Sequence, residues 1–303
     1  MTVPLVLGIN PLIGVDHRSA DRAREKMRGG DSARPLEVIR SATKAGAEGI
    51  TFSPSSSVMN LLKEARDSGE KAPLKLYPLF PALDKYWPAF VSKGTYGLIN
   101  AILEDLSWSS KARTLLKGGA TALTSDPLSA LRLYVDVELS KIKASAPPNW
   151  TVDTVFLGET FTDMLLSLRS YSLLQSFCES VERHAGLRAG FQTLNLFKLL
   201  SARNELSESA PSHPLPVMAP FNPLGFQMNP DRESCERAAE QAPGVTFVAI
   251  SVLAAGQVPL QRAIEYLSKR KRYISTVVIG TSNPEHAIET FHLLKQSLRF
   301  SET

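Results

Sequence analysis

Short apolar runs alternate with amphipathic stretches along most of the chain. The apolar runs have the length and the β-branched content of buried strands, and each is followed by turn residues. The predicted strands are Leu5–Ile9, Gly49–Ser53, Leu74–Phe80, Thr121–Ser125, Thr154–Gly158, Leu187–Thr193, Pro216–Phe221, Thr246–Ser251 and Thr276–Gly280. The fourth of these, Thr121–Ser125, has the weakest pattern and is equally consistent with a turn between helices.

The stretches between the strands carry apolar residues at helical spacing. The predicted helices are Pro35–Ala45, Ser57–Ser68, Leu128–Ala144, Leu165–His184, Arg232–Gln241, Leu260–Arg270 and Pro284–Ser297. Repeated strand–helix units require parallel strands covered by helices. The chain is therefore predicted to be an α/β protein.

Two arrangements of parallel strands compete, a closed (β/α)8 TIM barrel and an open doubly wound sheet. The run Thr246–Ile250 is apolar at almost every position, which is typical of a strand buried on both faces. No G-x-G-x-x-G follows any predicted strand, and this favours the barrel. We expect residues 1–303 to form one barrel domain, with residues 85–125 as an insertion or lid after the third strand.

Composition excludes several classes of protein. The formal charge of +4 is small, and the basic clusters are interleaved with acids or lie at a helix end, so nucleic-acid binding is not expected. The two cysteines are far apart and read as free thiols. No leader or membrane span is expected, which favours a cytoplasmic protein, as a monomer or a homodimer.

Three residues are predicted to carry chemistry. His17 follows the first strand in the segment Gly8–His17, where an imidazole could exchange a proton near neutral pH. Glu159 ends a buried strand, and Tyr77 lies within another. Each also has a structural interpretation: a locally bonded loop histidine, an ion-paired carboxylate and a core tyrosine.

The last strand runs directly into a helix through Gly280, Thr281, Ser282 and Asn283. Asn283 is a good N-cap and Pro284 suits the first helical position, so the segment is either an anion site or simply a well-capped helix. Neutral polar groups suited to substrate recognition follow other strands, namely Asn10, Ser53, Gln192 and Asn222. No metal-ligand spacing or nucleophile elbow occurs, so a metal site is not expected.

Several of these segments resemble aldo-keto reductases. Ala249–Gly256 is similar to the family's seventh-strand segment "A-Y-S-P-L-x-x-G", and Ile279–His286 is similar to its eighth-strand cofactor loop. Leu187–Thr193 resembles the fifth strand, and Pro220–Asn222 resembles "P-Y-N" after the sixth. The resemblance implies an eight-stranded barrel with its site at the carboxyl-terminal strand ends. It also implies cofactor contacts from Gln192, Ser251, Gly280, Thr281, Ser282 and Asn283.

The departures from the family's pattern concern its catalytic tetrad of Asp, Tyr, Lys and His. None of the four is found at the matching positions, and Glu159 stands where the histidine should be. Ile250 replaces the tyrosine that stacks on nicotinamide, and Met218 replaces a sixth-strand glutamine. The basic residues that clamp a 2′-phosphate are absent from the segment Thr281–Asn283, so a preference for NADP is not supported.

Three functions therefore remain open. The first is a nicotinamide-dependent oxidoreductase acting on a small carbonyl or hydroxyl metabolite, with NAD or NADP bound. The second is a cofactor-free lyase, isomerase or hydrolase using His17 and Glu159 as acid and base. The third is a non-catalytic ligand-binding barrel. All three expect a small-molecule ligand and no membrane partner.

Overall fold

A computed structural model describes residues 3–13, 35–81, 92–93, 127–184, 186–203 and 214–298 of the chain. Its centre is a parallel sheet that closes on itself. The strands are β1 (Leu5–Gly8), β2 (Gly49–Phe52), β3 (Leu74–Phe80), β4 (Trp150–Val152), β5 (Thr154–Leu157), β6 (Arg188–Gln192), β7 (Leu215–Pro220), β8 (Val245–Ile250) and β9 (Ile274–Gly280). Their order is β2-β1-β9-β8-β7-β6-β5-β3-β4, and a further pairing of β2 with β3 closes the ring.

The strands β4 and β5 are two parts of one barrel strand. Both pair with β3, where Leu76 lies opposite Val152 and Leu79 opposite Phe156. The step from 152 to 156 is one residue longer than the step from 76 to 79, so Asp153 is the extra residue of a β-bulge. The sheet is therefore an eight-stranded parallel barrel, and the predicted (β/α)8 TIM-barrel class is confirmed.

Helices cover the outside of the barrel. They are α1 (Pro35–Lys44), α2 (Ser56–Asp67), α3 (Pro127–Ser145), α4 (Glu159–Ser167), α5 (Tyr171–Glu182), α6 (Leu196–Ser201), α7 (Arg232–Glu240), α8 (Leu260–Ser268) and α9 (Pro284–Ser297). Two short 3-10 helices, Asn10–Ile13 and Ala254–Gly256, follow β1 and β8. In the described part of the chain, no helix is both long and apolar enough to cross a bilayer.

Most predicted helices are confirmed within two residues of their ends, but one prediction is wrong. The helix expected over Leu165–His184 is two helices, α4 and α5, separated at Arg169, whose φ of 53° no α-helix accommodates. Helix α6 has only six residues and was not predicted. The predicted strand Thr121–Ser125, and the 85–125 excursion apart from residues 92 and 93, lie outside the described residues.

Two apolar layers stabilise the barrel. The outer layer lies between the strands and the helices and is the larger. The inner layer fills the barrel with Val6, Tyr77, Phe156, Met218, Val248 and Val278. Two strand glycines make room for its aromatic rings: a β-carbon at Gly190 would lie 2.7 Å from the Phe156 ring, and one at Gly49 would lie 2.8 Å from the Tyr77 ring. Large and small residues thus alternate across the interior.

Candidate small-molecule site at the carboxyl-terminal mouth

Because all eight barrel strands are parallel, their carboxyl ends meet at one rim, which we call the mouth. The opposite rim, where the strands begin, we call the floor. The predicted site residues follow the ends of different strands: Asn10 follows β1, Ser53 follows β2, Glu159 follows β5, and Thr281 follows β9. The topology therefore brings them to the same rim.

The mouth at β1 is covered by the short 3-10 helix that begins at Asn10. Gly8 and Gly280 lie opposite each other in the ladder, and a β-carbon on Gly280 would come within 3.1 Å of Pro11 Cγ. The missing side chain lets Pro11 pack directly on the end of β9. Asn10 is consequently half-buried at the rim, as is Ser53 beside it at the end of the neighbouring β2.

Gln192, the last residue of β6, has an unsatisfied acceptor. Alternation along β6 places Gln192 on the same inner face as Gly190, while Ala189 and Phe191 pack in the outer layer. The side chain is only 9% exposed, and its Oε1 has no hydrogen-bond donor within the described ranges. A buried acceptor without a partner is costly, so this atom is suited to a ligand that donates an N–H or O–H group.

The residues after Gln192 are held by Asp163 on α4. The Asp163 carboxylate accepts hydrogen bonds from the Thr193 hydroxyl and, at 3.0 Å, from the Leu194 amide. Burial raises the pKa of Asp163, and these hydrogen bonds offset only part of that effect. The Thr193 hydroxyl in turn accepts from the Asn195 amide at 2.9 Å. Thr193 is therefore fully engaged, which leaves Gln192 as the available polar side chain of this pair.

Asn222, predicted to contact substrate, is instead a structural residue of the loop after β7. Its side chain is fully buried. Its Nδ2 donates to the Phe226 carbonyl and its Oδ1 accepts from the Phe226 amide, both at 2.8 Å. Both ends of the amide are occupied, and this argues against a substrate contact.

The loops after β7 and β8 form one unit at the mouth. The Ser251 hydroxyl donates to Gln227 Oε1 at 3.1 Å, and Phe226 packs against Ala254 and Val258. Ser251 and Gln227 have φ values of 52° and 61°, and left-handed backbone in residues other than glycine is concentrated at ligand sites and switch regions. Ser251, predicted as a cofactor contact, thus lies at the mouth, and its hydroxyl proton is already donated to Gln227.

The predicted anion segment ends in a self-capped helix. Asn283 Oδ1 accepts from the amides of Glu285 at 2.7 Å and His286 at 3.1 Å, so two of the first helical donors are already satisfied. Thr281 and Ser282 are half-buried before this cap, and Gly280 is exposed. The expected N-cap is confirmed, but an anion would have to bind to the residues before Asn283.

The predicted acid–base residues lie in different environments. Glu159 is the first residue of α4, where a carboxylate interacts favourably with the helix dipole, and it is half-buried at the mouth. His17 lies outside the described residues, together with the rest of residues 14–34. Glu159 is thus the predicted acid–base residue that the structure places at the mouth.

Tyr77 faces the floor rather than the mouth. Its ring lies against Gly49, the first residue of β2, and its electrostatic neighbours are Asp153, Arg188 and Glu48. Burial, together with the charge of Asp153, raises the pKa of Tyr77 above its ordinary value, and Arg188 opposes this shift only partly. A phenol held protonated at the floor is explained by packing, not by proton donation at the mouth.

The floor is closed by an ion-paired cluster. Asp153 pairs with Lys75 at 3.2 Å and with Arg188. Burial favours a higher pKa for Asp153, but hydrogen bonds from Thr154 and Arg188, with the nearby positive charges, lower the pKa below its ordinary value. This end of the barrel is therefore electrostatically satisfied.

Asp163 and Gln227 were not among the predicted site residues. Asp163 lies four residues after Glu159, so both are on one face of α4, and this spacing was the available signal. Gln227 has no such signal, because its role depends on a loop conformation that brings it to Ser251. In the described ranges, no three His, Cys, Asp or Glu side chains come together as metal ligands.

Comparison with known proteins identifies the fold. The chain matches no protein-family model and no curated protein sequence. Among solved structures, it is similar to PA4992 of Pseudomonas aeruginosa, described as "the putative aldo-keto reductase", with 17% identity over 98% of this chain and 92% of that chain and a TM-score of 0.52. A second structure, described as a "putative aldo-keto reductase" from the same organism, has 15% identity, covers 98% of this chain and 91% of that chain, and has a TM-score of 0.54. The chain therefore has the barrel fold of the aldo-keto reductases.

Proposed function

We propose that the mouth binds a nicotinamide nucleotide and that the protein is an oxidoreductase acting on a small carbonyl or hydroxyl metabolite. The observation that carries this proposal is the orphaned Oε1 of Gln192. A buried acceptor at the carboxyl ends of barrel strands is stabilised when a ligand donates a hydrogen bond to it. The carboxamide of nicotinamide provides such an N–H donor.

The remaining residues at the mouth suit the nicotinamide ring better than the phosphate groups of the nucleotide. Ile250 packs beside the inner layer next to the site and can contact a planar ring through apolar surface. Thr281 and Ser282 offer hydroxyl groups to phosphate. Because Asn283 already satisfies the amides of Glu285 and His286, the phosphate end of a nucleotide would gain little from α9.

When bound, the nicotinamide supplies or accepts the hydride, so the chain itself must move a proton. Tyr77 does not serve this role, because its environment is at the floor. Glu159, half-buried at the mouth, is the described residue proposed to exchange that proton. Water reaching this half-exposed rim can return the proton to solvent.

Calorimetric titration with NADPH, NADP, NADH and NAD tests the proposal. We expect at least one to bind with micromolar affinity or better, and the variant Gln192→Met to weaken it about tenfold, which corresponds to ~1.4 kcal/mol. The matched control is Gln261→Met, since Gln261 is exposed on α8. Absence of binding by all four nucleotides would reject the oxidoreductase.

A second candidate is a cofactor-free enzyme in which Glu159 and His17 act as acid and base. It is favoured by the position of Tyr77, which leaves the mouth without a described tyrosine to donate a proton. A screen of hydroxylated and phosphorylated metabolites, without nucleotide, would test it. Full turnover by the double variant His17→Ala, Glu159→Gln would dismiss it, and binding without turnover would indicate a ligand-binding barrel.

A further inference from the structure

A cavity lies outside the barrel, between α6 and α7. Its volume is about 430 Å³, which is within the range of small-molecule sites. One wall is apolar and contains Phe197, Leu200 and Ala242. The other contains two arginines, Arg203 and Arg237.

The two arginines differ from most others on the helical surface. Arg40, Arg66 and Arg232, for example, each pair with a carboxylate. Within the described ranges, neither Arg203 nor Arg237 forms such a pair, although both line the same cavity. Two like charges facing one cavity repel each other, so an anion between them would be stabilised by both.

The exposed carboxylate of Asp231 interacts with Arg237 through its charge, but within the described ranges it forms no ion-pair contact with either arginine. Asp231, the N-cap of α7, accepts hydrogen bonds from the amide and the hydroxyl of Ser234, both at 2.8 Å. Its oxygens are therefore directed into the helix terminus. The position of Arg203 is also defined, because its Nη2 lies 3.0 Å from where a β-carbon would stand on Gly244. A glycine at this turn leaves room for the guanidinium.

The apolar wall restricts which anion fits. Phe197 is 48% exposed and lines the cavity together with Leu200. A bare inorganic anion would leave this surface in water. We propose that the cavity is a binding site for a small organic carboxylate with an aromatic or aliphatic body.

In this site, the carboxylate lies between Arg203 and Arg237, and guanidinium forks can bind it in a bidentate manner. The body of the ligand covers Phe197 and Leu200. Gln241, which also lines the cavity, supplies a neutral hydrogen-bonding group. The site is independent of the nucleotide proposed for the mouth.

Calorimetric titration of the full chain with phenylacetate tests the site. We expect one equivalent to bind, at least tenfold more tightly than the neutral analogue 2-phenylethanol. The double variant Arg203→Gln, Arg237→Gln should weaken phenylacetate binding at least tenfold. The matched control, Arg132→Gln with Arg262→Gln, removes two exposed helical arginines elsewhere and should leave the affinity within twofold of the parent.

Three outcomes would overturn the proposal. The first is no binding of phenylacetate by the parent protein, and the second is an equal loss of affinity in the control double variant, which would indicate general electrostatics. The third is binding of inorganic phosphate, in a parallel titration, as tight as that of phenylacetate, because the apolar wall would then contribute nothing. Gln192→Met should not affect this titration, so the test is separate from that of the mouth.

Discussion

The floor and the mouth of the barrel differ in how completely their polar groups are satisfied. At the floor, Asp153 is bonded to Lys75, Arg188 and Thr154. At the mouth, Gln192 Oε1 is buried without a donor from the described part of the chain, and Ser251 and Gln227 have left-handed backbone. The same eight strands thus end in a stabilising cluster on one side and in unsatisfied, strained groups on the other, which indicates where a ligand binds.

The largest expected effect comes from filling the interior between the two rims. Gly190→Ala would place a β-carbon 2.6 Å from the Pro216 carbonyl oxygen and 2.7 Å from the Phe156 ring. We expect the free energy of unfolding to fall by about 2 kcal/mol, because backbone must move. Urea unfolding measures this loss. Gly158→Ala is the control, since among the described residues its β-carbon would approach only the Phe80 carbonyl oxygen, at 3.4 Å. Equal losses would contradict the packing argument.

A smaller effect is expected from breaking the floor cluster. Asp153→Asn should lower the free energy of unfolding at pH 7 by about 1–2 kcal/mol, as hydrogen bonds to a charged group are lost. Because the folded-state pKa of Asp153 is lowered, its contribution is present above the unfolded-chain pKa of about 3.9 and is lost as pH falls through the folded-state value.

The difference in stability between parent and variant should therefore narrow as urea unfolding is repeated at successively lower pH below about 3.9. Asp67→Asn provides the control, because Asp67 is exposed on α2 and its one ion pair within the described ranges is with the adjacent Arg66. Surface pairs of this kind contribute at most about 1 kcal/mol. A difference between parent and Asp153→Asn that persists at acid pH would show that the carboxylate is not the stabilising group.

The smallest expected effect has the opposite sign and concerns the mouth. Gln192→Met replaces an unpaired buried amide oxygen with an apolar group of similar size, and we expect the protein to become more stable by up to about 1 kcal/mol. Thermal unfolding without ligand measures the change. If the variant instead loses stability, Gln192 is a structural residue and the contrast between the two rims does not hold.

The fold was largely predictable from the sequence. Strand runs such as Thr246–Ile250 are apolar on both faces, and this pattern depends only on local composition. The divided strand β4/β5 was not predicted as such, because a bulge at Asp153 depends on the register with β3. Likewise, the break at Arg169 was not predicted, because the apolar residues continue at helical spacing on both sides of it and only the backbone φ angle reveals the break.

The site was less predictable. Placement at strand ends could be inferred for Asn10, Ser53 and Glu159, since it follows from the parallel topology. The sequence could not show which side chains remain available to a ligand. Both ends of the Asn222 amide are hydrogen-bonded to Phe226, and the Tyr77 ring lies against Gly49. Such pairings join positions whose proximity is determined only after folding.

The bulge at Asp153 also bears on how the barrel wall resists opening. The Asp153 amide donates to the Leu76 carbonyl at 3.0 Å, and the Asp153 carbonyl accepts from the Arg188 amide at 3.2 Å. The ladder around the barrel is thus unbroken where the strand geometry is interrupted. Amide hydrogen exchange at Asp153 should consequently report separation of β3 from the strand formed by β4 and β5, and not fraying of a strand end.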